Sequence, residues 1–458
     1  MQQPNADEEA QERPGARPEL VAAVRADLEA GAAPHLGELA KALKAPDLAD
    51  LIELLEPVER VRLIDMLGGE LDPEVFSELD PSVRDQLSED LPNELLARIV
   101  TKLDTDDAAY VIENLEKEDQ QDILSQLPSS ERAALERNLE YPEETAGRLM
   151  QTDFVAVPQF WTVGQVIDHM REAEDLPDSF SDIFVIDPAF RVLGSVDLSR
   201  LLRTKRHVNI STIMETDRHT VLATADQEEV ARQFERYDLR SAPVVDANDR
   251  LVGVVTVDDV VEVISEETEE DFRRLSGVGD ESLADTVLPT VKSRFLWLFI
   301  NLGTALLASS VIQLFDASIN QMVALAVLMP IVASMGGNAA TQTMTVAVRA
   351  LATRDLGPAN VSRVILREAS VGVINGIAFG LLMGTVVLIW FGVGKLGIVI
   401  AAAMLFNLVA AALAGILIPL AVERLGFDPA VSSGVFVTTV TDVVGFFAFL
   451  GLATLVLL

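Results

Sequence analysis

The sequence predicts a multidomain chain with three parts: an α-helical superhelix, a duplicated α/β domain pair and a five-helix α-helical transmembrane domain. Charge separates the parts, because residues 1–291 hold 27 Lys and Arg against 65 Asp and Glu, whereas residues 292–458 hold eight against six. The second part also repeats itself. The predicted segments are a disordered tail (1–18), a helical domain (19–148), two α/β domains (149–207 and 208–272), a connecting helix (273–293) and the transmembrane domain (294–458).

Proline marks the start of several predicted helices in the helical domain. It follows Glu56, Asp72, Asp80, Leu91 and Leu127, and proline is favoured in the first turn of a helix because the N–H that it lacks has no partner there. Short amphipathic stretches of similar form, such as residues 48–55 and 108–115, recur between the prolines. This pattern indicates a stacked helical solenoid.

The net charge of −38 over residues 1–291 excludes some classes of function. A surface this negative repels phosphate, so nucleic acid is not an expected partner, and cations are. The absence of cysteine excludes disulfides and thiolate sites. An alternative origin of the acidity is adaptation to high salt, which seven Lys against 28 Arg would suit. The first 30 residues show no cleavable signal peptide.

The α/β part carries an internal duplication. Residues 184–187 and 193–196, Phe-Val-Ile-Asp and Leu-Gly-Ser-Val, recur 59 residues later as Pro-Val-Val-Asp and Val-Gly-Val-Val. Each copy is expected to form a strand, a helix, two strands and a second helix. Two such units in tandem resemble a pair of CBS domains.

The resemblance to CBS pairs implies a candidate site for ATP or another adenosine nucleotide in the second copy. Thr256 and Asp259 have the spacing of a hydroxyl and a carboxylate that hold a ribose, whereas the first copy has Asp197 and Arg200 instead. The alternative is a helix start that is capped by Thr256.

Five runs in the last part are long and apolar enough to cross about 30 Å of hydrocarbon. Basic residues cluster before the first run, between the second and third, and after the fourth, while the opposite side has only Lys395. This bias predicts a multi-pass protein of the cell membrane with residues 1–291 in the cytoplasm and the C terminus outside. The runs are residues 295–315, 322–348, 369–393, 396–422 and 430–458.

Asp442 is the one ionisable residue in the fifth run. A carboxylate near the bilayer centre costs about 2.5–3.5 kcal/mol, so such a residue usually faces a polar interior or an ion pathway. On a helix, Thr438 and Gly445 share its face. The alternative is a buried, hydrogen-bonded carboxylate that only fixes helix packing.

The second run carries a polar stripe. Asn338, Thr341, Gln342 and Thr345 share one helix face, after Pro330 and a glycine pair that should loosen the helix. We interpret this stripe as part of an ion path. Isolated asparagines elsewhere are interpreted as interhelical hydrogen-bonding residues without a transport role: Asn301, Asn375 and Asn407.

One carboxylate per chain is too little to dehydrate Mg²⁺, which holds its water tightly. Two chains on a twofold axis would bring two copies of Asp442 to one pore, where they would hold a hydrated divalent ion. None of the four histidines lies in a predicted span, which favours a hard ion over Co²⁺ or Mn²⁺. An intramembrane aspartyl protease would need two carboxylates that share a proton, so the chain is not expected to be an enzyme.

The order of parts resembles the MgtE family of magnesium channels. The motifs that carry the resemblance are residues 141–150, 336–338, 349–356 and 441–445. The chain departs from the family pattern at Ala340 and Thr341, where the pattern has a Gly and an Asn. The resemblance implies a homodimer with the pore on its axis, where Asp442 contacts hydrated Mg²⁺ near the Thr438 carbonyl and Gly445.

The resemblance further implies that cytoplasmic Mg²⁺ closes the channel by bridging acidic residues. Divalent ions that bind a compact arrangement of repelling carboxylates shift the population toward it. Ordinary solvated surface charge is the alternative for each residue. A membrane-anchored CBS nucleotide sensor is the alternative for the whole chain. The candidate sensor residues are Asp106, Asp107, Glu228, Asp238, Asp259, Glu262, Glu270 and Asp271.

Overall fold

The computed structural model describes residues 15, 17–173, 176–177, 179–217, 219–279 and 287–457, without the side chains of residues 289, 432 and 433. Nearly all of the predicted N-terminal tail, and residues 280–286 of the predicted connecting helix, lie outside these ranges. The described residues form two compact units, one up to Glu266 and one from Glu267 onward. Each unit is described by itself below.

The helical domain consists of short helices around one continuous apolar core. Pro57 and Pro81 occupy the first helical position, and Pro92 and Pro128 cap the following helices, as the sequence predicts. The helices are α1 (Pro18–Ala30), α2 (Ala33–Ala42), α3 (Ala45–Glu53), α4 (Pro57–Leu67), α5 (Val75–Glu78), α6 (Pro81–Asp90), α7 (Asn93–Val100), α8 (Thr105–Ile112), α9 (Lys117–Gln126) and α10 (Ser129–Leu139), with a 3₁₀ turn at Gly68–Glu70.

Asn138 at the end of α10 joins the helical domain to the segment that follows. It is fully buried, and its Nδ2 donates to the carbonyls of Gly147, Arg148 and Met150 at 3.0–3.3 Å. These carbonyls lie at the end of the short helix α11 (Ala146–Leu149), where backbone acceptors need outside donors. A single amide therefore orients the chain as it enters the α/β part.

The α/β part consists of two three-stranded sheets, each with one parallel and one antiparallel pair. Val185 pairs with Gly194 in the first sheet and Val244 with Gly253 in the second, so the structure repeats at the 59-residue offset and confirms the predicted duplication. The elements are β1 (Ala156–Pro158), α12 (Val163–Glu172), β2 (Asp182–Ile186), β3 (Val192–Asp197), α13 (Leu198–Arg203), β4 (Val221–Leu222), α14 (Gln227–Tyr237), β5 (Ser241–Val245), β6 (Leu251–Thr256) and α15 (Val257–Leu275), with a 3₁₀ turn at Ile210–Thr212.

The second unit contains the five helices that are long and apolar enough to cross a membrane. The predicted five spans are confirmed by length and composition, and the second helix is continuous through Pro330 and the glycine pair, so the expected loosening does not interrupt it. The helices are α16 (Val287–Gln313), α18 (Ala324–Ala352), α19 (Val361–Phe391), α20 (Gly394–Arg424) and α21 (Pro429–Leu457), with the short α17 (Asp316–Gln321) between the first two.

Helix α20 is the centre of this bundle and packs against α18, α19 and α21. On α19, four glycines spaced four residues apart face it, and a Cβ at any of them would lie within 3.0 Å of an atom of α20. Small residues at this spacing allow helices to approach closely in a membrane, where van der Waals packing drives association. The four are Gly372, Gly376, Gly380 and Gly384.

Candidate functional site

The polar stripe of α18 lies on the surface of the bundle. Asn338, Thr341, Gln342 and Thr345 are all exposed, and the two threonine hydroxyls donate back to carbonyls one turn earlier at 2.9 Å. These back-bonds satisfy the hydroxyl protons inside the helix. The amides of Asn338 and Gln342 remain on the surface, and we call these four residues the polar face.

Asp442 of α21 is half-buried and makes no hydrogen bond or ion pair with any residue that the structure describes. Thr438, one turn earlier, is exposed, and its carbonyl accepts a bond of 2.9 Å from the buried Thr441 hydroxyl. Gly445 is buried, and its Cα faces the side chain of Asn407. Of the three residues predicted on one face, Asp442 and Thr438 therefore reach the surface of the protomer, and Gly445 packs beneath Asn407.

The isolated asparagines differ in what they contact. Asn407 of α20 is fully buried and donates to the Val332 carbonyl of α18 at 2.8 Å, which is the expected interhelical bond. Asn301 instead donates to Trp297 of its own helix, and Asn375 is exposed on α19. Only the first of these, among the described contacts, ties two helices together.

Glu368 is an acidic residue of the membrane domain that the sequence reasoning passed over. It lies inside α19, one residue before the third predicted apolar run (369–393), and its side chain is 12% exposed. Its carboxylate pairs with Arg367 at 2.7 Å and accepts from the Thr343 hydroxyl at 3.3 Å. The sequence contained a signal for Glu368, because helices often begin before their apolar run. Here α19 begins at Val361, so it includes Glu368.

In the first unit, α8 and the start of α15 bring four predicted sensor residues together. Asp106 and Asp107 lie in the first turn of α8, and Asp259 and Glu262 lie in the first turns of α15. Besides burial, the charges of Asp107 and Asp259 help to raise the pKa values of Asp106 and Glu262, and the charge of Asp107 helps to raise that of Asp259. We call these four residues the acidic junction.

Burial is the largest cause of the raised pKa values in the acidic junction. It raises the pKa of Asp107 to about 6, with added repulsion from Asp104 and Glu74. Burial also raises the pKa of Asp259 to about 7, despite the hydrogen bond that Thr256 donates to it, and that of Glu262 to about 7. Buried carboxylates that repel one another favour protonation or a bound cation.

Asp106 combines a raised pKa with a buried oxygen that has no hydrogen-bond partner among the described residues. Burial raises its pKa well above the ordinary range, and the charges of Asp259 and Asp107 add to the shift. Its Oδ1 atom is buried and has no hydrogen-bond partner among the described residues. A buried acceptor without a donor is costly, so this atom suits a bound cation or its water.

The acidic junction does not form a closed coordination shell for a bare ion. Among the described residues, no three side chains of His, Asp or Glu are grouped closely enough to hold a metal ion directly. Mg²⁺ in proteins usually keeps several of its waters and uses few carboxylates. The residues therefore fit a hydrated ion, which would be held through water and by Asp106 Oδ1.

Two neighbours of the acidic junction were not predicted. Glu78 has a pKa that burial raises, and its charge contributes to the shifts of Asp107 and Glu262. Tyr110 of α8 donates a hydrogen bond of 3.0 Å to Glu266 of α15 and stacks under the buried Arg84 guanidinium at 3.7 Å. These contacts join α8 to α15 and could not be read from sequence spacing, because the partners are 156 residues apart.

The remaining sensor candidates lie elsewhere. Glu270 and Asp271 belong to the second unit, where Arg274 pairs with Glu270 and, at 2.8 Å, with Asp428. Burial and then the charge of Asp428 raise the pKa of Asp271. Glu228 lies in the first turn of α14. Asp238 is exposed and adopts the left-handed conformation at the end of the same helix. The described contacts do not place either residue in the acidic junction.

The candidate nucleotide residues are bonded to each other. Thr256 donates to Asp259 Oδ2 from its hydroxyl at 2.5 Å and from its N–H at 3.3 Å. The two residues therefore hold each other at the start of α15, where Asp259, and not Thr256 as in the alternative, is the acceptor. A nucleotide at these residues stays a prediction, and binding would have to replace the hydroxyl bond.

Comparison with known proteins matches segments in each of the three parts of the chain. Family models match an MgtE intracellular N domain at residues 43–144, two CBS domains at 146–207 and 210–266, and an MgtE divalent cation transporter domain at 329–452. The magnesium transporter MgtE of Thermus thermophilus is 36% identical over 321 residues, which are 69% of this chain and 71% of the relative. The chain belongs to the MgtE family of magnesium transporters.

Other MgtE proteins give the same result. The magnesium transporter MgtE of Bacillus subtilis is 32% identical over 317 residues, 69% of this chain and 70% of the relative. A solved structure described as the cytosolic domain of the Mg²⁺ channel MgtE in complex with ATP is 32% identical, and covers 53% of this chain and 100% of that chain with a TM-score of 0.49. The family models and curated relatives confirm the predicted family and CBS pair. The transporter family together with the five long apolar helices supports the multi-pass membrane domain.

Membership in the MgtE family also bears on the reaction class. The curated relatives are named as transporters, in line with the expectation that the chain is not an enzyme, and Mg²⁺ is their named substrate. The acidic junction and the polar face are two separate features of this MgtE chain, one in each unit.

Proposed function

We propose that this chain forms a Mg²⁺-selective channel for magnesium uptake that is gated by Mg²⁺ bound among its acidic cytosolic domains. The observation that carries the proposal is Asp442, a membrane-helix carboxylate that is half-buried and has no partner among the described residues. The exposed polar face supports it, because polar side chains at membrane depth are costly unless they face a polar interior or a pathway.

The proposed channel is a homodimer with its pore on the twofold axis. One protomer leaves Asn338 and Gln342 exposed on α18, and lipid offers these amides no hydrogen-bond partner. A second copy would cover them and would add a second Asp442. Two carboxylates across one axis would hold a hydrated Mg²⁺ through its water shell, weakly enough for the ion to leave again.

The orientation follows from the flanking charges. The helix ends on one side of the five spans carry Lys292, Arg294, Arg349 and Arg363, whereas the other side carries Lys395. Residues 1–291 then lie in the cytoplasm and the C terminus lies outside. Uptake would be driven by the membrane potential, which favours inward movement of a divalent cation.

Gating is proposed to reside in the acidic junction. Burial first, and then repulsion between neighbouring charges, raises the pKa values of its carboxyls, so ionised and unbound carboxylates oppose close approach of α8 and α15. A divalent ion relieves the repulsion, so it favours the compact arrangement. High cytoplasmic Mg²⁺ would then hold the channel closed.

The test is Mg²⁺ flux into proteoliposomes at a fixed membrane potential, with Asp442→Ala beside wild type. Asp316→Ala is the matched control, because Asp316 is an exposed carboxylate of the membrane domain at the start of α17. We expect the flux of Asp442→Ala to fall to the level of empty liposomes and that of the control to stay at the wild-type level. Equal flux from all three proteins would exclude the pore assignment.

A further inference from the structure

Asn407 occupies the point where three membrane helices meet. It is fully buried on α20, and its side chain lies between Gly336 of α18 and Gly445 of α21. A Cβ at Gly336 would lie 2.2 Å from Asn407 Nδ2, and one at Gly445 would lie 2.8 Å from the same atom. Both glycines are therefore required by the amide that they enclose.

The hydrogen bonds of Asn407 indicate a positional role. Its Nδ2 donates to the Val332 carbonyl of α18 at 2.8 Å, while its Oδ1 is buried with no partner among the described residues. A leucine has the same branched shape without this unpaired oxygen, which is costly in an apolar interior. Packing alone thus does not explain an amide here, whereas the bond to α18 does.

The position of Asn407 relates it to both proposed ion-path elements. Gly336 lies two residues before Asn338, about 160° away around α18. Because Gly336 packs against Asn407 inside the bundle, the polar face on the opposite side of α18 points outward. Gly445 lies three residues after Asp442, less than one turn along α21. We propose that Asn407 is a positioning residue that sets the spacing and rotation of α18 and α21, and so the placement of the polar face relative to Asp442 along the ion path.

This proposal rests on the proposed function, because it assumes that α18 and α21 line the path. Its specific consequence concerns ion preference. A path that holds a hydrated ion distinguishes Mg²⁺ from Mn²⁺ by the position of its oxygen ligands, because Mg²⁺ holds its water more tightly and with stricter geometry. A shift of either helix changes this preference, whereas a loss of folded protein lowers both fluxes equally.

The test measures Mg²⁺ and Mn²⁺ uptake separately in proteoliposomes of the full-length protein, together with its thermal unfolding in detergent. Asn407→Leu, whose methyl groups are larger than the amide enclosed by the two glycines, is expected to stay folded in detergent with a lower unfolding temperature. It is expected to change the ratio of Mg²⁺ to Mn²⁺ flux by about threefold to tenfold, the range of an interhelical hydrogen bond in a membrane. A wild-type ratio in this variant, with Asp442→Ala inactive, would overturn the positioning role.

Glycine variants provide a second, independent arm. Gly336→Ala is expected to lower Mg²⁺ flux, whereas Gly337→Ala is not, because a Cβ at Gly337 meets nothing within 4 Å. Adding Asn407→Ala to Gly336→Ala makes room for the methyl group and should restore flux toward that of Asn407→Ala alone. Equal effects of the two glycine variants, or no restoration, would overturn the proposal. Full flux in Asp442→Ala would instead overturn the proposed function on which it rests.

Discussion

The acidic junction and the membrane domain place carboxylates in opposite circumstances. In the junction, Asp106, Asp259 and their neighbours are buried together and repel one another. In the membrane domain, Asp442 has no partner among the described residues and lies near the protomer surface. The first arrangement favours retention of a cation and the second favours its passage, since conduction requires sites that release the ion.

The difference also extends to what holds each region together. The junction is joined by polar contacts across long sequence separations, such as that of Tyr110 with Glu266. The membrane helices are joined by glycine-backbone contacts and by the Asn407 amide. A charge change should therefore act mainly on the junction, and a change of volume mainly on the membrane bundle.

The largest expected effect is a pH dependence of the acidic junction without Mg²⁺. Carboxyls whose pKa is raised in the folded state stabilise it fully below about pH 4, and this contribution is lost as pH rises through the raised values of about 6 for Asp107 and about 7 for Asp259 and Glu262. Amide protection in α8 and the first turns of α15, measured by hydrogen exchange in chelator, should fall across this window.

Addition of Mg²⁺ at the high-pH end should restore protection in α8, while α20 serves as an internal control with unchanged protection. Protection that stays constant across the window in chelator would show that the junction is not strained by its charges. The comparison between the two regions would then lose its physical basis.

A smaller effect is expected for a volume change in the membrane bundle. Gly380→Ala would place a Cβ 2.7 Å from the Ala401 carbonyl oxygen of α20, and such overpacking costs about 1–3 kcal/mol. We expect a lower unfolding temperature in detergent. Gly303→Ala on α16 is the control, because its Cβ would meet nothing within 4 Å; an equal loss in both variants would contradict the close α19–α20 packing.

Much of this architecture could be predicted from the sequence because it depends on local patterns. Prolines at helix starts, the 59-residue repeat and five apolar runs can each be recognised without knowing which distant segment packs against them. The polar face was likewise readable from helical spacing. Asp106, Asp107, Asp259 and Glu262 were named through family resemblance, and the structure brings them together.

What could not be predicted depends on contacts between distant segments. The sequence does not show that Gly445 is covered by Asn407, that Thr256 and Asp259 satisfy each other, or that Glu270 and Asp271 lie in a different unit from Asp259. Glu368 was missed because the boundary of its helix was taken from the apolar run alone. Each of these outcomes depends on tertiary packing.

The most direct test of the central claim, that one region senses Mg²⁺ and the other conducts it, is Mg²⁺ flux measured against Mg²⁺ on the soluble side for three proteins. Wild-type flux should fall as Mg²⁺ rises. Flux through Asp106→Asn/Asp259→Asn should persist but vary less with Mg²⁺, and Asp442→Asn should not conduct at any Mg²⁺ concentration. A wild-type response in the double variant, or wild-type flux in Asp442→Asn, would contradict the account.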